Sequence, residues 1–221
     1  MRFKCLILDH DDTVVDSTKT IHYPAFLEAL RQMRPDHFVT LQEYFELNFD
    51  PGFLAYCEHV LGFTSQELDR EYGIWQSFVE KRVPTAYPGI REIIERQKAL
   101  GGYVCVVSHS VRDKILRDYE KNNLTEPDLI YGWELPREQR KPSVFAIEDI
   151  MARLHVQRAD ILVVDDLKPG YDMARDAEVR FAAAQWAYHV PGILGFMRDK
   201  ADYCFTSVDD LAIYDRSSRP P

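Results

Sequence analysis

The chain has 221 residues, 46% of them hydrophobic and 29% charged, with a formal net charge of −9 at pH 7. That length holds one large domain, or a core with a smaller one inserted, and the acidic balance argues against a nucleic-acid-binding surface. No apolar run approaches the roughly 20 residues that cross a bilayer, and Asp9 interrupts any signal-peptide pattern early.

The four cysteines, Cys5, Cys57, Cys105 and Cys204, lie far apart and form no CxxC pair. They read as buried free thiols in a reducing cytoplasm. The expectation is a soluble cytoplasmic protein with no nucleic-acid and no membrane partner.

The first predicted strand is Phe3–Leu8, and it ends in Asp9-His10-Asp11-Asp12-Thr13. Three acids in four residues repel one another in an ordinary loop. At the C-terminal end of a buried strand they point to a divalent hard cation and to one carboxylate free to act as a nucleophile. The alternative is a solvated turn after an edge strand. From about residue 16 to residue 86 no convincing strand follows. Amphipathic stretches run over Pro24–Arg34, Leu41–Leu47, Phe53–Leu61 and Gln66–Arg82. Thr40-x-x-Glu43 and Thr64-x-x-Glu67 fit the capping box that starts a helix. An all-helical module inserted after the first strand is expected.

Tyr87-Pro88-Gly89 marks the return to a sheet. Strand-like runs then recur at Tyr103–Val107, Leu129–Tyr131, Ile161–Val164, Val179–Ala184 and Tyr203–Phe205. Helical patterns lie between them at Ile90–Leu100, Val111–Asn122, Val144–Leu154 and Tyr171–Glu178. Strands alternating with helices of this length predict βαβ units and a mostly parallel sheet in an α/β fold. Chemistry-bearing residues fall at the element ends: Asp9 and Asp11, then Ser108-His109-Ser110, then Arg140-Lys141-Pro142, then Asp165-Asp166 with Lys168-Pro169-Gly170. Phosphoryl transfer needs this set: a nucleophile, a cation, and donors for the phosphate oxygens.

These four segments, in order over nearly the whole chain, resemble the motifs of the haloacid dehalogenase-like (HAD) hydrolase superfamily, in its helical-cap branch. Asp9-x-Asp11-x-Thr13 resembles the first motif, Ser108 the second, Lys141-Pro142 the third, and Asp165-Asp166 with Gly170 the fourth. The resemblance implies a Rossmann-like parallel-sheet core from residues 1–15 and 87–221, with an inserted all-helical cap domain over residues 16–86. It also implies catalytic roles. Asp9 would attack phosphorus and become an aspartyl phosphate. Asp11 would protonate the leaving alcohol and then activate water, while Ser108 and Lys141 hold the phosphoryl oxygens. Mg²⁺ would bind Asp9, the Asp11 backbone carbonyl and Asp166, with Asp165 either a ligand or an orienter of its neighbour.

The reading this supports is a Mg²⁺-dependent phosphoric monoester hydrolase acting on a small phosphorylated metabolite, similar to the phosphoglycolate phosphatase-like group. The alternatives are a sugar phosphomutase of the β-phosphoglucomutase-like kind and a non-catalytic binding protein on the same fold. Thr13 is typical of the phosphatases, and Asp11 argues against a dehalogenase. His10, His109 and His22 are candidate substrate contacts, with space-filling beside the loop as the favoured reading of the first two. Ser108 has a second reading as the cap of the following helix, and Lys141 one as a solvated lysine. Asp12 replaces the usual glycine of the first motif, and its charge would oppose phosphate unless it points away or pairs. A monomer or a homodimer is compatible with all of this.

Overall fold

The computed structural model describes residues 2–216. In chain order, β1 (Cys5–Leu8) and β2 (Val15–Asp16) lead through a π-helical turn to α1 (Tyr23–Met33) and α2 (Leu41–Phe49). Then come α3 (Phe53–Ala55) with a π-helical continuation, α4 (Ser65–Lys81), β3 (Thr85–Ala86), α5 (Ile90–Ala99), β4 (Tyr103–Val107) and α6 (Arg112–Lys121). The chain closes with β5 (Leu129–Tyr131), α7 (Phe145–Leu154), β6 (Ile161–Asp165), α8 (Lys168–Asp176), β7 (Arg180–Ala184), α9 (Pro191–Lys200), β8 (Tyr203–Phe205) and α10 (Val208–Arg216).

Six strands form one sheet in the order β5-β4-β1-β6-β7-β8, every neighbouring pair parallel. A parallel sheet is covered on both faces, which is why its strands are continuous apolar runs. Leu6, Leu8, Val104, Val106, Leu162 and Val164 face one apolar layer, which α5, α6 and α10 complete. Ile7, Cys105, Val107, Ile161, Val163 and Phe181 face the other, under α7, α8 and α9. Each fully buried Leu, Ile or Phe contributes about 1.5–3 kcal/mol of transfer free energy. Cys5 and Cys105, a hundred residues apart, bring their thiols within 3.9 Å between β1 and β4. The contact with Cys105, and then burial, raise the pKa of the Cys5 thiol. All four cysteines are free, and no helix among the described residues is long and apolar enough to cross a membrane.

Between β2 and β3 the chain is helical, with an apolar cluster of its own that includes Phe26, Leu30, Tyr44, Leu47, Cys57 and Phe63. Both expected capping boxes form: Thr40 and Thr64 each accept the backbone N–H of the glutamate three residues on, and that glutamate accepts theirs. One detail departs from expectation. Val15 pairs with Ala86 and Asp16 with Thr85 in a two-residue antiparallel ribbon at the margins of the segment read as strandless. Two residues are too short to show a period of two, so only the fold reveals the ribbon.

Candidate active site

Connections from β1 run towards β4 and β5 on one side, while β6, on its other side, leads to β7 and β8. A crevice at the carboxyl ends of such strands is where open α/β sheets take ligands. β1 delivers Asp9 there, with its N–H still in the ladder to the Val164 carbonyl. The loop then turns sharply: the N–H groups of Val14 and Val15 both donate to the His10 carbonyl. Asp12 sits in the left-handed region at φ +57°, which Asp tolerates better than most residues. Its side chain answers the charge problem, because Oδ1 accepts the N–H groups of Ser17 and Thr18, each at 3.3 Å. Asp12 thus ties the loop to the turn that enters the helical segment. Burial nevertheless pushes its pKa up to about 6.

Lys141 reaches in from the loop before α7, its side chain only 5% exposed. Its ammonium lies 2.6 Å from Asp9 Oδ1 and 2.7 Å from Asp165 Oδ2. Two of its three donors are thereby used, and the third remains for a ligand. Asp165 is spent holding this arrangement, since its other oxygen accepts the Leu167 N–H at 2.9 Å. Asp166 makes one long contact, 3.5 Å from the Thr13 hydroxyl. Burial raises the proton affinity of Asp9, with Lys141 opposing, and raises that of Asp166 well above the carboxylate range, with Asp165 and Asp9 adding to it.

Asp9, Asp165 and Asp166 each offer an oxygen within 4.8 Å of the others. Three buried acids against one ammonium, all oxygen donors, are the chemistry of a hard divalent cation site. With both Asp165 oxygens engaged, the free oxygens belong to Asp9 and Asp166.

Asp11 is held from three directions. The Ser17 hydroxyl donates to Oδ1 at 2.7 Å, the Ser110 hydroxyl to Oδ2 at 2.5 Å, and His22 Nε2 lies 2.8 Å from Oδ1. Against the cost of burial, these partners keep its pKa well below the ordinary range. The His22 proton can be located. The Trp75 indole can only donate, and it lies 2.9 Å from His22 Nδ1, so Nδ1 accepts and Nε2–H donates to Asp11. Asp11 does pull the proton affinity of His22 up against the burial of the ring. Even so, a second proton would set Nδ1–H against the indole N–H. Both ring nitrogens of this expected substrate contact are therefore taken, although the ring lines the cavity.

The other expected contacts divide. His109 lines the cavity, with Nε2 donating to the Lys141 carbonyl at 3.0 Å, and burial lowers its pKa to about 4. His10 points away from the cavity: it is 1% exposed, pairs with Asp118 at 3.2 Å and stacks on Tyr119. Asp118 in turn holds Arg117, whose guanidinium donates to the carbonyls of Val79 and Arg82 at the end of α4. Ser108 is buried in the cavity wall, its Oγ accepting the Ser110 N–H at 3.1 Å. Sequence reasoning gave no role to Ser17, Ser110 or Trp75. Ser110 carried a signal, a second hydroxyl at the end of β4; Trp75, 53 residues from His22, carried none.

The crevice is roofed by the helical segment into a cavity of about 410 Å³. Asp9, Asp11, Ser108, Lys141 and Asp166 line one part of it, Tyr44, Phe53, Glu71, Tyr72 and Trp75 from the helical segment another.

The chain belongs to the haloacid dehalogenase-like hydrolase family, whose profile matches residues 6–184. No curated protein matches its sequence. Among solved structures it is similar to a predicted phosphoglycolate phosphatase from Haemophilus somnus 129pt, with a TM-score of 0.75 at 17% identity over 98% of this chain and 99% of that one. A conserved haloacid dehalogenase-like protein of unknown function from Agrobacterium tumefaciens C58 gives 0.74 at 20% identity, over 96% and 97%. CbbY from Rhodobacter sphaeroides, in a variant bound to xylulose-(1,5)bisphosphate, gives 0.70 at 18%, over 95% and 96%. At these identities the likeness is one of fold.

Proposed function

We propose that the chain is a Mg²⁺-dependent phosphatase that hydrolyses a small phosphorylated metabolite through an aspartyl phosphate on Asp9, with residues 16–86 as the cap over the site. One observation carries this reading: Lys141 bridges Asp9 and Asp165 in a buried pocket, while Asp11 stands beside Asp9 held by separate donors. Two carboxylates two residues apart thus sit in different environments, the arrangement that lets one act as nucleophile and the other as acid and base. Structural similarity to a phosphatase-named protein and to CbbY, solved with phosphate and with a sugar bisphosphate, supports the substrate class.

In the first step an Asp9 oxygen bonds to phosphorus, the phosphorus–alkoxy bond breaks, and Asp11 gives its proton to the departing alcohol. The donors around Asp11 favour its ionised form, and an arriving phosphoryl dianion raises its proton affinity for this step. In the second step Asp11 takes a proton from water, whose oxygen displaces Asp9 from phosphorus. The sum is ester plus water giving alcohol plus inorganic phosphate. Lys141 and the Ser108 hydroxyl hold the phosphoryl oxygens. Mg²⁺ on Asp9, the Asp11 carbonyl and Asp166 would supply charge neutralisation of the transferring group. Asp165 positions Lys141.

The test is phosphate release from p-nitrophenyl phosphate and a metabolite panel, with Mg²⁺ or with EDTA, beside Asp9→Asn. Release that needs Mg²⁺ and disappears in the variant is expected. Full activity in EDTA, or in Asp9→Asn, would overturn the mechanism. Transfer of phosphate between two sugar hydroxyls instead of to water would favour the mutase.

A further inference from the structure

Glu71 stands in the cavity wall as an unexplained charge. It lies in the second turn of α4 in Ser65-Gln66-Glu67-Leu68-Asp69-Arg70-Glu71, a stretch whose composition reads as a solvated helix face. The fold turns it inward instead, leaving it 8% exposed and part of the cavity lining. Among the described residues no donor and no cation pairs with its carboxylate. An isolated buried carboxylate costs several kcal/mol, so a site that keeps one has a use for it.

The neighbouring groups offer no internal solution. Lys141 is committed to Asp9 and Asp165. Arg137 is paired through both terminal nitrogens with Glu58. Arg140 lies over the Trp133 ring, 3.9 Å from its centroid, and donates to the Leu135 carbonyl. His22 is fixed between Asp11 and Trp75. Among the described residues none of these cations contacts Glu71, which leaves the place beside it to a ligand. The surroundings suit one, because Tyr44, Phe45, Phe53, Tyr72, Trp75 and Trp133 all line the cavity, and aromatic faces attract ammonium groups.

We infer that the substrate is a phosphate ester of an amino alcohol, with its ammonium group against Glu71 inside the aromatic wall and its phosphoryl group at Asp9 and Lys141. This rests on the phosphatase reading and narrows it to zwitterionic esters. Burial pushes the Glu71 pKa up to about 7, and an ammonium partner would return it to the ionised form. A metabolite carrying a carboxylate at that end would meet a like charge, so the same contact selects for the amine and against an acid of equal size.

The experiment compares ω-aminoalkyl phosphates of graded chain length with alkyl phosphates that lack only the amine, on wild type and on Glu71→Gln. For at least one length, wild-type kcat/KM is expected to favour the amine tenfold or more, and Glu71→Gln to bring that ratio close to one. Comparing this ratio between the two proteins cancels the intrinsic effect of the amine on the leaving group. Equal rates at every length in the wild type would overturn the inference while leaving the phosphatase reading intact, and so would a preference that survives in Glu71→Gln. Calorimetric titration of Asp9→Asn with the same pairs separates binding from chemistry. Amine-selective binding with no hydrolysis by wild type would sink the phosphatase reading and keep the Glu71 contact. Binding of the two esters with equal affinity, or of neither, would remove it.

Discussion

A methyl group on Gly170 would overlap the Asp165 carboxyl, which must lie flat on the first turn of α8 to reach Lys141. Replacing a helical glycine with alanine ordinarily stabilises by up to about 1 kcal/mol. Here Gly170→Ala is expected to move Asp165, unseat Lys141 and lower kcat/KM by about a hundredfold, with the fold retained by circular dichroism. Normal activity would show that Asp165 does not position the lysine. Glu71 makes a residue-scale prediction in stability. Its carboxyl titrates near 7 in the native protein instead of its ordinary 4.5. Between these values the native state keeps a proton that the unfolded chain has released, so wild-type stability falls as pH rises through the window. Glu71→Gln lacks that cost. Relative to wild type it should gain stability from pH 4.5 to pH 7, to a difference on the order of 3 kcal/mol. Denaturant unfolding across that range checks it, and parallel curves would contradict the burial of a charge. Local chemistry of this kind was half legible. The acids and Ser108 stand out by type and position at strand ends, and Lys141 by its place ahead of a helix. Glu71 does not, because no periodicity distinguishes a helix face turned to a polar cavity from one turned to water.

At the scale of elements, α4 meets the loop after β1 through one side-chain chain, Trp75 to His22 to Asp11. Trp75→Phe keeps the ring and deletes the donor that fixes the imidazole tautomer. The expected result is a three- to tenfold fall in kcat with KM little changed, and thermal stability lowered by about 1 kcal/mol, the worth of one hydrogen bond. A rise in KM alone would mean that Trp75 touches substrate and does not set Asp11. Most elements could be read in advance because a parallel sheet needs unbroken apolar strands and a capped helix needs a particular first turn. The strands at Tyr103–Val107, Leu129–Tyr131 and Tyr203–Phe205 fall where the sequence placed them. The helices α9 and α10 carry no clear helical pattern in the sequence. Pro191, Gly192 and Gly195 interrupt the first, and the second depends on packing Val208 and Leu211 under the sheet. Contacts between distant segments, such as His10 with Asp118, had no signal in a single sequence.

For the molecule as a whole, the buried acids Asp9 and Asp165 share one lysine, Asp166 beside them pairs with no cation, and without a metal the three disfavour one another's ionised forms. A bound cation at a hundred times its dissociation constant would stabilise the native state by about 2.7 kcal/mol, or roughly 5–10 °C in melting temperature for a chain of this size. Scanning calorimetry with Mg²⁺ and with EDTA should show that rise. Asp166→Asn should abolish it and should also melt higher than wild type in EDTA, since it removes a carboxyl whose ionised form burial disfavours. An unchanged Mg²⁺ response in Asp166→Asn would place the ion elsewhere.

The two-residue ribbon that joins Val15–Asp16 to Thr85–Ala86 has a consequence beyond architecture. Because the helical segment leaves and rejoins the sheet at hydrogen-bonded neighbours, its length enters the folding balance only as the logarithm of a closed loop. Residues can be gained, lost or exchanged between those two points without shifting the register of any strand that holds Asp9, Ser108 or Asp165. The strands that carry the buried acids and the stretch of chain that roofs them are therefore free to change separately wherever Ser17, His22 and Trp75 keep their hold on Asp11, and a new cavity shape can arise in the roof while those few contacts are inherited intact.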